Sequence, residues 1–545
     1  MRRSTIARWR ARTTDPPGQA LRAAALGAIA GAIALWLLIV VRQVADGGFY
    51  SDDWAIQWEW HSHGFSEAVS RQFDILGSRP LLAILLIGSY EVLGTDPARH
   101  HLLAALLTVA CTAGFYFVLR GLRFPPRDAI PITLLALLFP WASAVRLWPT
   151  AALNNFAVLL LFAGFLIALG GLRVQGPRGV VIHLVATACY VASILTYDVT
   201  APVALFAWTA YAWLGGWRAA LPRMALDIAA VVGVAIYAAA NTTKPIVGLA
   251  DQLGHVPTVI RDGAYLIAGT LLPVRIPAEI SPALATAALA AALVVLVLAS
   301  LRWRNSGEHD RGPGGVAWPA VGCAALAALA LSWAAFLPQA FYTPTFRGLE
   351  DRVNILALYP AAVLVWAVWR SAGSLLSRNG YLLAVAGCVA VAIAYGIQDV
   401  RQQDQWLRST ELQPKVLAAV ERAGAPDGAV VLVFDYPGET APRVPVLNVN
   451  YDLFPAAQLV TSSSIQTFPV FEGSTVRCSP KGVAIDWLAT PLYERIWLAE
   501  VGTAKLQPYA NVVFVDVGNE RHELIRSREQ CARALTTYRP GPWRT

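Results

Sequence analysis

Apolar runs recur along the chain up to about residue 397, and they constrain the fold more than any other feature of the sequence. Each run approaches the ~20 residues that a helix needs to cross a bilayer. Only 14% of the residues are charged, whereas a soluble domain carries about 25%. The sequence therefore predicts a polytopic α-helical membrane protein. It excludes a soluble enzyme, a coiled coil and a disordered chain.

The net charge of +8 does not indicate a nucleic-acid-binding protein. Residues 399–545 hold nearly equal numbers of acidic and basic side chains, so the excess lies in the apolar part of the chain. There the arginines cluster in short loops between apolar runs, where basic residues orient helices in a membrane. We therefore expect membrane lipid, and no nucleic acid, among the partners.

The N-terminal segment is rich in arginine and precedes an apolar run over residues 23–45. A cleaved signal peptide is the alternative interpretation. However, the run is longer than such a peptide requires and lacks an Ala-x-Ala cleavage site, so an uncleaved anchor with a cytoplasmic N-terminus is predicted.

Placing the arginine-rich loops in the cytoplasm gives about eleven spans and an extracytoplasmic C-terminus. This count requires that two further apolar stretches do not cross the membrane. Leu81–Leu93 is short and contains Glu91, and the stretch Tyr265–Ile276 is interrupted by Pro273. The predicted spans are approximately 23–45, 98–119, 129–146, 151–171, 180–197, 199–216, 224–240, 281–301, 316–338, 353–370 and 380–397.

Two domains follow from this topology. Residues 1–397 form the membrane domain, and residues 398–545 form a soluble extracytoplasmic domain of α/β or α+β class. Within the second, Gln413–Ala423 resembles a helix, whereas Ala429–Phe434 and Asn511–Val517 are short β-branched runs typical of buried strands.

Cys478 and Cys531 are the two cysteines of the predicted extracytoplasmic domain. An oxidising compartment permits a disulfide between them. Two buried, unlinked cysteines are the alternative, since cysteine is often buried without a partner. We predict the disulfide.

The loop 46–79, which follows the first span, contains the adjacent carboxylates Asp52 and Asp53, flanked by Tyr50 and Trp54. Such a pair can be an exposed acidic end of a helix beside interfacial aromatic residues. In a cavity, it can instead supply a general base or hold a divalent cation. The pair alone leaves these alternatives open.

The order of features around this pair adds a family resemblance. After the acidic pair come Gly77-Ser78-Arg79-Pro80-Leu81 and then Gly94-x-Asp96-x-Ala98-Arg99-His100. This order resembles the GT-C superfamily of membrane glycosyltransferases, which includes bacterial arabinosyl-, mannosyl- and glucosyltransferases that use polyprenyl-phosphate sugars. The sharp motifs cover only residues 50–101, and each motif alone is weak.

The resemblance implies a reaction at the outer membrane face. Asp52 or Asp53, with Asp52 preferred, would deprotonate a hydroxyl of a glycan, lipid or protein acceptor of the cell envelope. A polyprenyl phosphate would be the leaving group. If a divalent cation such as Mg²⁺ or Mn²⁺ takes part, the same two carboxylates are its candidate ligands.

The leaving phosphate requires cations, and arginine suits bidentate phosphate contact. Several basic residues in predicted outer loops run against the positive-inside tendency and are the candidates. Pairing with neighbouring carboxylates such as Glu350, Asp351 and Asp262 is the alternative explanation. The candidates are Arg352 and Arg347 first, then Arg275, Lys244 and Arg261.

Further polar residues are predicted to line the same cavity, although ordinary structural roles explain each of them alone. Tyr197-Asp198 resembles a Tyr-Glu element of related transferases, with Asp in place of Glu. The predicted lining residues are Tyr50, Trp54, His61, His63, Arg79, Tyr197 and Asp198, with Arg146, Asn154 and Asn155 as further candidates.

Two other functions compete with a transferase. A transporter or flippase for lipid-linked glycans would show inverted repeats and charges near the midplane. Here no repeat is visible, and the charges gather at the outer ends of the spans, which favours the transferase. A non-catalytic envelope scaffold would keep the same motifs and stays open.

Overall fold

The structure is a computed structural model. It describes residues 19–174, 176–242, 247–272, 281–305, 316–339, 342–346, 348–376, 380–461, 463–472, 474–486 and 506–542.

Helices dominate the first 422 residues, and many of them begin with proline, which needs no N–H partner at the first helical position. In chain order they are α1 (Gln19–Asp46), α2 (Asp52–Ile75), α3 (Pro80–Leu93), α4 (Pro97–Gly121), α5 (Pro126–Leu137), α6 (Ala144–Leu147), α7 (Pro149–Ala152), α8 (Asn155–Gly171), α9 (Pro177–Thr196), α10 (Ala201–Leu205), α11 (Trp208–Gly215), α12 (Trp217–Asn241), α13 (Leu249–Leu271), α14 (Pro282–Asn305), α15 (Trp318–Ala334), α16 (Leu358–Leu376) and α17 (Gly380–Arg422).

The protein is a multi-pass membrane protein, as predicted. Among the described residues, seven helical segments are long and apolar enough to cross a bilayer. They comprise α1, α4, α7 with α8, α9, α12, α14 and α17. An eighth results if the 3₁₀-helix Gly348–Asn354 and α16, which meet at a bend of 70°, form one broken span.

The structure departs from the predicted eleven spans where the apolar sequence does not form one long helix. The predicted span 129–146 ends as a helix at Leu137 and continues as short turns, and the span 199–216 is divided between α10 and α11. The predicted span 316–338 contains α15, which at 17 residues is also not among the candidate spans. In the first of these, Pro140 lacks the N–H that would continue the helical ladder. Hydropathy does not reveal such a break, because the residues on both sides remain apolar.

The stretch Leu81–Leu93 forms α3, which has 14 residues. At 1.5 Å per residue this helix is about 21 Å long, shorter than the ~30 Å hydrocarbon core. This length agrees with the prediction that the stretch does not cross. The other stretch predicted not to cross belongs, as far as Leu271, to α13, which is not among the candidate spans.

The last membrane helix carries the chain without interruption into the C-terminal part. Helix α17 has 43 residues and runs through the predicted boundary at residue 397. Its last turns pack on a sheet through Val416 and Val420. The C-terminal part is therefore attached to the membrane part by a continuous helix.

The C-terminal part is an α/β fold, one of the two predicted classes. Its main sheet has the order β4-β1-β8-β9, in which β4, β1 and β8 are parallel and β9 is antiparallel. The remaining elements are α18 (Asn450–Thr461), α19 (Arg528–Thr537), a β2-β3 hairpin and a small antiparallel β5-β6-β7 sheet. The strands are β1 (Val430–Phe434), β2 (Glu439–Ala441), β3 (Val444–Pro445), β4 (Gln466–Pro469), β5 (Thr475–Ser479), β6 (Gly482–Asp486), β7 (Leu506–Gln507), β8 (Val512–Asp516) and β9 (Arg521–Ile525).

Both faces of the main sheet are covered. All five residues of β1 and all five of β8 are buried, as expected of strands that lie between two helical layers. Helix α18 and the end of α17 cover one face, and α19 covers the other. A disulfide joins Cys478 on β5 to Cys531 on α19, with the two Cα atoms 5.9 Å apart.

Candidate functional site

The acidic pair stands at the start of α2, where its two side chains take different surroundings. Ser51, the residue before the helix, has a positive φ of 46° and a ψ of −117°. Asp52 and Asp53 then form the first turn of the helix. Consecutive helical residues point about 100° apart, so the two carboxylates cannot face the same way.

Asp53 faces the protein interior and is fully buried. One carboxylate oxygen, Oδ2, accepts a hydrogen bond from the backbone N–H of Tyr50 at 2.9 Å. The other, Oδ1, accepts from the backbone N–H of Thr150 at 2.8 Å and from its hydroxyl. Burial raises the pKa of Asp53 to about 7, although these hydrogen bonds act in the opposite direction. Asp53 thus fastens the start of α2 to α7.

Asp52 faces a cavity. Half-buried, it lines a space of about 1290 Å³, part of which is open solvent. Helices α2 and α3, the turn at residues 197–199, the segment around residues 335–353 and the C-terminal domain all contribute to the wall. Its polar and aromatic lining residues are Asp52, Gln72, Arg79, Trp148, Thr150, Asn154, Tyr197, Asp198, Phe336, Tyr342, Arg352 and Tyr451.

Two arginines line the cavity around Tyr197. Arg79 forms an ion pair with Asp198, with 2.9 Å between Nη2 and Oδ1, and its guanidinium lies 4.8 Å from the centre of the Tyr197 ring. Arg352 lies 5.2 Å from the centre of the Trp148 ring. Burial raises the pKa of Tyr197 to about 12, while the charges of both arginines act to lower it. Both guanidinium groups are therefore within electrostatic range of the same phenol.

The segment that carries Arg352 is anchored by its two neighbouring carboxylates. Asp351 accepts hydrogen bonds from the N–H groups of Ser143 and Ala144, each at 2.8 Å, at the start of α6. Glu350 pairs with Arg443 of the C-terminal part at 3.2 Å. These contacts hold the 3₁₀-helix Gly348–Asn354 between the membrane helices and the C-terminal domain.

Of the seven residues predicted to line the cavity, Arg79, Tyr197 and Asp198 do so, and the other four do not. The hydroxyl of Tyr50 is buried beside Thr410 Oγ1 at 2.8 Å. Trp54 donates to Gln413 at 2.9 Å. These two side chains are turned toward α17 instead.

The two histidines lie elsewhere on α2. His61 is exposed, and His63 lies between Glu59 and Glu67, at 3.7 and 3.5 Å. Neither lines the cavity. Four-residue spacing on one helix explains the contacts of His63, because side chains at i and i+4 are neighbours.

The remaining candidates divide in the same way. Asn154 lines the cavity, but Asn155 donates to the carbonyl of Val145, and Arg146 pairs with Asp399 at 3.4 Å beside a second, smaller cavity. Arg261 is exposed and pairs with Asp262, as the alternative explanation predicted. Lys244, Arg275 and Arg347 lie outside the described residues.

The structure adds cavity residues that the sequence did not reveal. Trp148 and Tyr342 supply aromatic walls, and Tyr451 reaches the cavity from α18 of the C-terminal domain. Tyr451 lies 400 positions from Ser51, whose side chain it contacts, and no local pattern signals so distant a contact. Trp148 precedes Pro149 in an apolar run and could have been taken only for a core residue.

In the part of the chain that the structure describes, no group of three or more histidine, cysteine or acidic side chains is arranged to hold a metal ion. Asp53, one of the two predicted ligands, directs both carboxylate oxygens at N–H and O–H donors.

Comparisons with known proteins give one distant structural likeness. No protein-family model and no curated protein match the chain. The crystal structure of ArnT from Cupriavidus metallidurans in the apo state is similar at a TM-score of 0.36, with 13% sequence identity, over 90% of this chain and 93% of ArnT. A TM-score this low supports no inference about the activity of the chain.

Proposed function

We propose that the chain is a GT-C-type membrane glycosyltransferase. It transfers a sugar from a polyprenyl-phosphate donor to a hydroxyl of a glycan, lipid or protein acceptor of the cell envelope. The observation that carries this proposal is one cavity lined by a carboxylate, Asp52, and by two guanidinium groups, those of Arg79 and Arg352. The base acts on the attacking hydroxyl and the cation acts on the leaving phosphate, so both must lie close to the same anomeric carbon.

Asp52 is the proposed general base. Its carboxylate takes the proton of the acceptor hydroxyl while the acceptor oxygen attacks the anomeric carbon of the sugar. The bond between that carbon and the phosphate oxygen breaks, and the polyprenyl phosphate leaves with the electron pair. Asp53 does not take this role, because its oxygens are occupied by Tyr50 and Thr150.

Arg352 and Arg79 are the proposed phosphate ligands. Preorganised positive charge stabilises a leaving group that gains negative charge in the transition state. Arg352 ranks first, as in the sequence argument, and Arg79, which pairs with Asp198 in the cavity wall, is the second ligand. Arg347, Arg275 and Lys244 remain proposed donors to the same phosphate on the sequence argument alone.

The proposed sidedness places the N-terminus in the cytoplasm and the cavity, with the C-terminal domain, on the outer side. The arginine-rich loops support this orientation. The disulfide between Cys478 and Cys531 is consistent with it, because disulfides persist in oxidising compartments.

The test is a transfer assay with the full-length protein in proteoliposomes and a panel of polyprenyl-phosphate sugars. Asp52→Asn should reduce kcat by about 10²–10⁴-fold, the usual range for a lost general base. Asp74→Asn is the matched control, because Asp74 is an exposed carboxylate on the same helix. Full activity of Asp52→Asn, or no transfer by the wild type from any donor, would contradict the proposal.

A further inference from the structure

The segment that leads into Asp52 is attached to the C-terminal half of the chain. The backbone N–H of Gly48 donates to Thr410 Oγ1 at 3.1 Å, and Trp54 Nε1 donates to Gln413 Oε1 at 2.9 Å. One turn further along α2, Trp58 Nε1 donates to Gln458 Oε1 on α18 at 2.9 Å. Residues on both sides of the acidic pair are therefore held from α17 and α18.

Between these attachments lies the strained residue Ser51. Its φ of 46° is in the region that favours glycine, and such a conformation persists only where surrounding contacts fix it. The hydroxyls of Ser51 and Tyr451 are 3.0 Å apart. Ser51 Oγ also lies within 3.4 Å of Asp52 Oδ1. A short chain of polar contacts thus runs from Tyr451 through Ser51 to the carboxylate of Asp52.

Tyr451 lies in the first turn of α18, which several hydrogen bonds hold in place. Asp452 is fully buried, and its Oδ1 accepts from the backbone N–H of Val449 at 3.1 Å. The N–H of Leu453 donates to the carbonyl of Val449, also at 3.1 Å. These bonds fix the first turn of α18, so the position of Tyr451 is set by the C-terminal domain.

We propose that Tyr451 is a positioning residue for Asp52, and this inference rests on the proposed role of Asp52 as the base. The Tyr451 hydroxyl holds Ser51 in its positive-φ conformation. That conformation sets the first turn of α2, so that Asp52 faces the cavity while Asp53 faces the core. The C-terminal domain thereby contributes a residue to the active site, and its packing against α2 determines whether Asp52 faces the cavity.

A double-mutant cycle tests the proposal in the transfer assay. Tyr451→Phe and Ser51→Ala each remove one hydroxyl, and each should lower kcat by about 2–10-fold, the effect of losing one hydrogen bond, with the KM for the donor unchanged. The double variant should lose no more than the stronger single variant. Tyr509→Phe is the matched control, because it removes another tyrosine hydroxyl bond of the same domain, that to the Ser479 carbonyl, and Tyr509 does not line the cavity.

Three kinetic results would overturn the proposal. If Tyr451→Phe keeps the kcat of the wild type, Tyr451 does not position Asp52. Losses that multiply in the double variant would show that the two hydroxyls act independently. A raised KM for the acceptor with unchanged kcat would show that Tyr451 contacts substrate and does not position the base.

Hydrogen–deuterium exchange of residues 46–56 in the full-length protein separates this inference from the proposed function. Exchange there should be faster in Tyr451→Phe and in Ser51→Ala than in the wild type or Tyr509→Phe, because the turn has lost a constraint. If the wild type transfers no sugar, the proposed function fails, while exchange still reports the coupling. Unchanged exchange in Tyr451→Phe would refute the inference whatever the activity.

Discussion

The two adjacent carboxylates should respond oppositely to the same substitution. In Asp53→Asn, one carboxylate oxygen becomes an NH₂ donor. In the wild type the N–H of Tyr50 donates to Asp53 Oδ2 at 2.9 Å. If the remaining oxygen of the variant keeps the two bonds from Thr150, the new NH₂ group takes the place of Oδ2 and faces this N–H. Two buried donors are then opposed, so the substitution should cost about 1–3 kcal/mol of unfolding free energy.

Asp52→Asn should not carry this cost. Asp52 is half-buried at the cavity wall, and the amide oxygen of asparagine can still accept from Ser51 Oγ. The change in unfolding free energy should therefore stay near the ~0.5 kcal/mol that is usual for less buried positions. The opposite ranking is expected for turnover, because Asp52 is the proposed base. Asp53→Asn should retain more transfer activity than Asp52→Asn, since it disturbs the position of the base without removing it.

The assay is thermal unfolding of both variants and the wild type in one lipid nanodisc preparation, combined with kcat measured below the unfolding temperature. Asp53→Asn should unfold at a lower temperature, and Asp52→Asn at that of the wild type. A destabilised Asp52→Asn together with a stable but inactive Asp53→Asn would reverse the two roles and refute the assignment.

Three further predictions follow from the same contacts. Arg352→Gln should lower kcat/KM for the donor by about 10²-fold, and Arg352→Lys should restore part of it because the charge returns without the bidentate fork; steady-state kinetics with varied donor checks both. Non-reducing peptide mapping should recover Cys478 and Cys531 in one linked peptide, and Cys531→Ser should lose up to ~4 kcal/mol of stability, measured by denaturant unfolding of the C-terminal part within the full chain. Burial raises the pKa of Asp452 to about 8 and that of Asp53 to about 7, above the ~4 of an unfolded aspartate. The folded protein therefore binds more protons over that interval, and stability should fall as pH rises from about 4 to about 8; Asp452→Asn should flatten the upper part of that profile in thermal unfolding.

The membrane helices and the C-terminal strands were the predictable parts of the fold, because each depends on a local pattern. The β-branched runs at residues 429–434 and 511–517 correspond to β1 (Val430–Phe434) and β8 (Val512–Asp516). The broken segments around Pro140 and between α10 and α11 were not predictable in this way. Hydropathy measures how apolar a stretch is, whereas a break depends on where the backbone finds its hydrogen-bond partners.

The walls of the cavity show a similar division. Asp198 was found as a charge between two apolar runs, which is costly and often functional, and Arg79 as part of the Gly77-Ser78-Arg79-Pro80-Leu81 motif. The structure pairs the two side chains at 2.9 Å. Tyr342 and Tyr451 carry no such signal, because a tyrosine in an apolar sequence is ordinary. Their place in the wall arises from packing between parts of the chain that are far apart in sequence.

The choice between Asp52 and Asp53 depends on helix geometry, which the sequence alone does not fix. Two neighbouring residues on a helix point about 100° apart, so once α2 packs on α7 only one carboxylate can face the cavity. Asp53 accepts hydrogen bonds from the N–H and the hydroxyl of Thr150, and this contact turns Asp52 toward the cavity. The buried carboxylate of Asp53 thus sets the orientation of the half-buried carboxylate of Asp52. A Ser51 conformation that few residues other than glycine adopt is then required to begin the helix at that angle. The Tyr451 hydroxyl contacts Ser51 itself, and Asp53 holds the preceding residue by accepting from the backbone N–H of Tyr50.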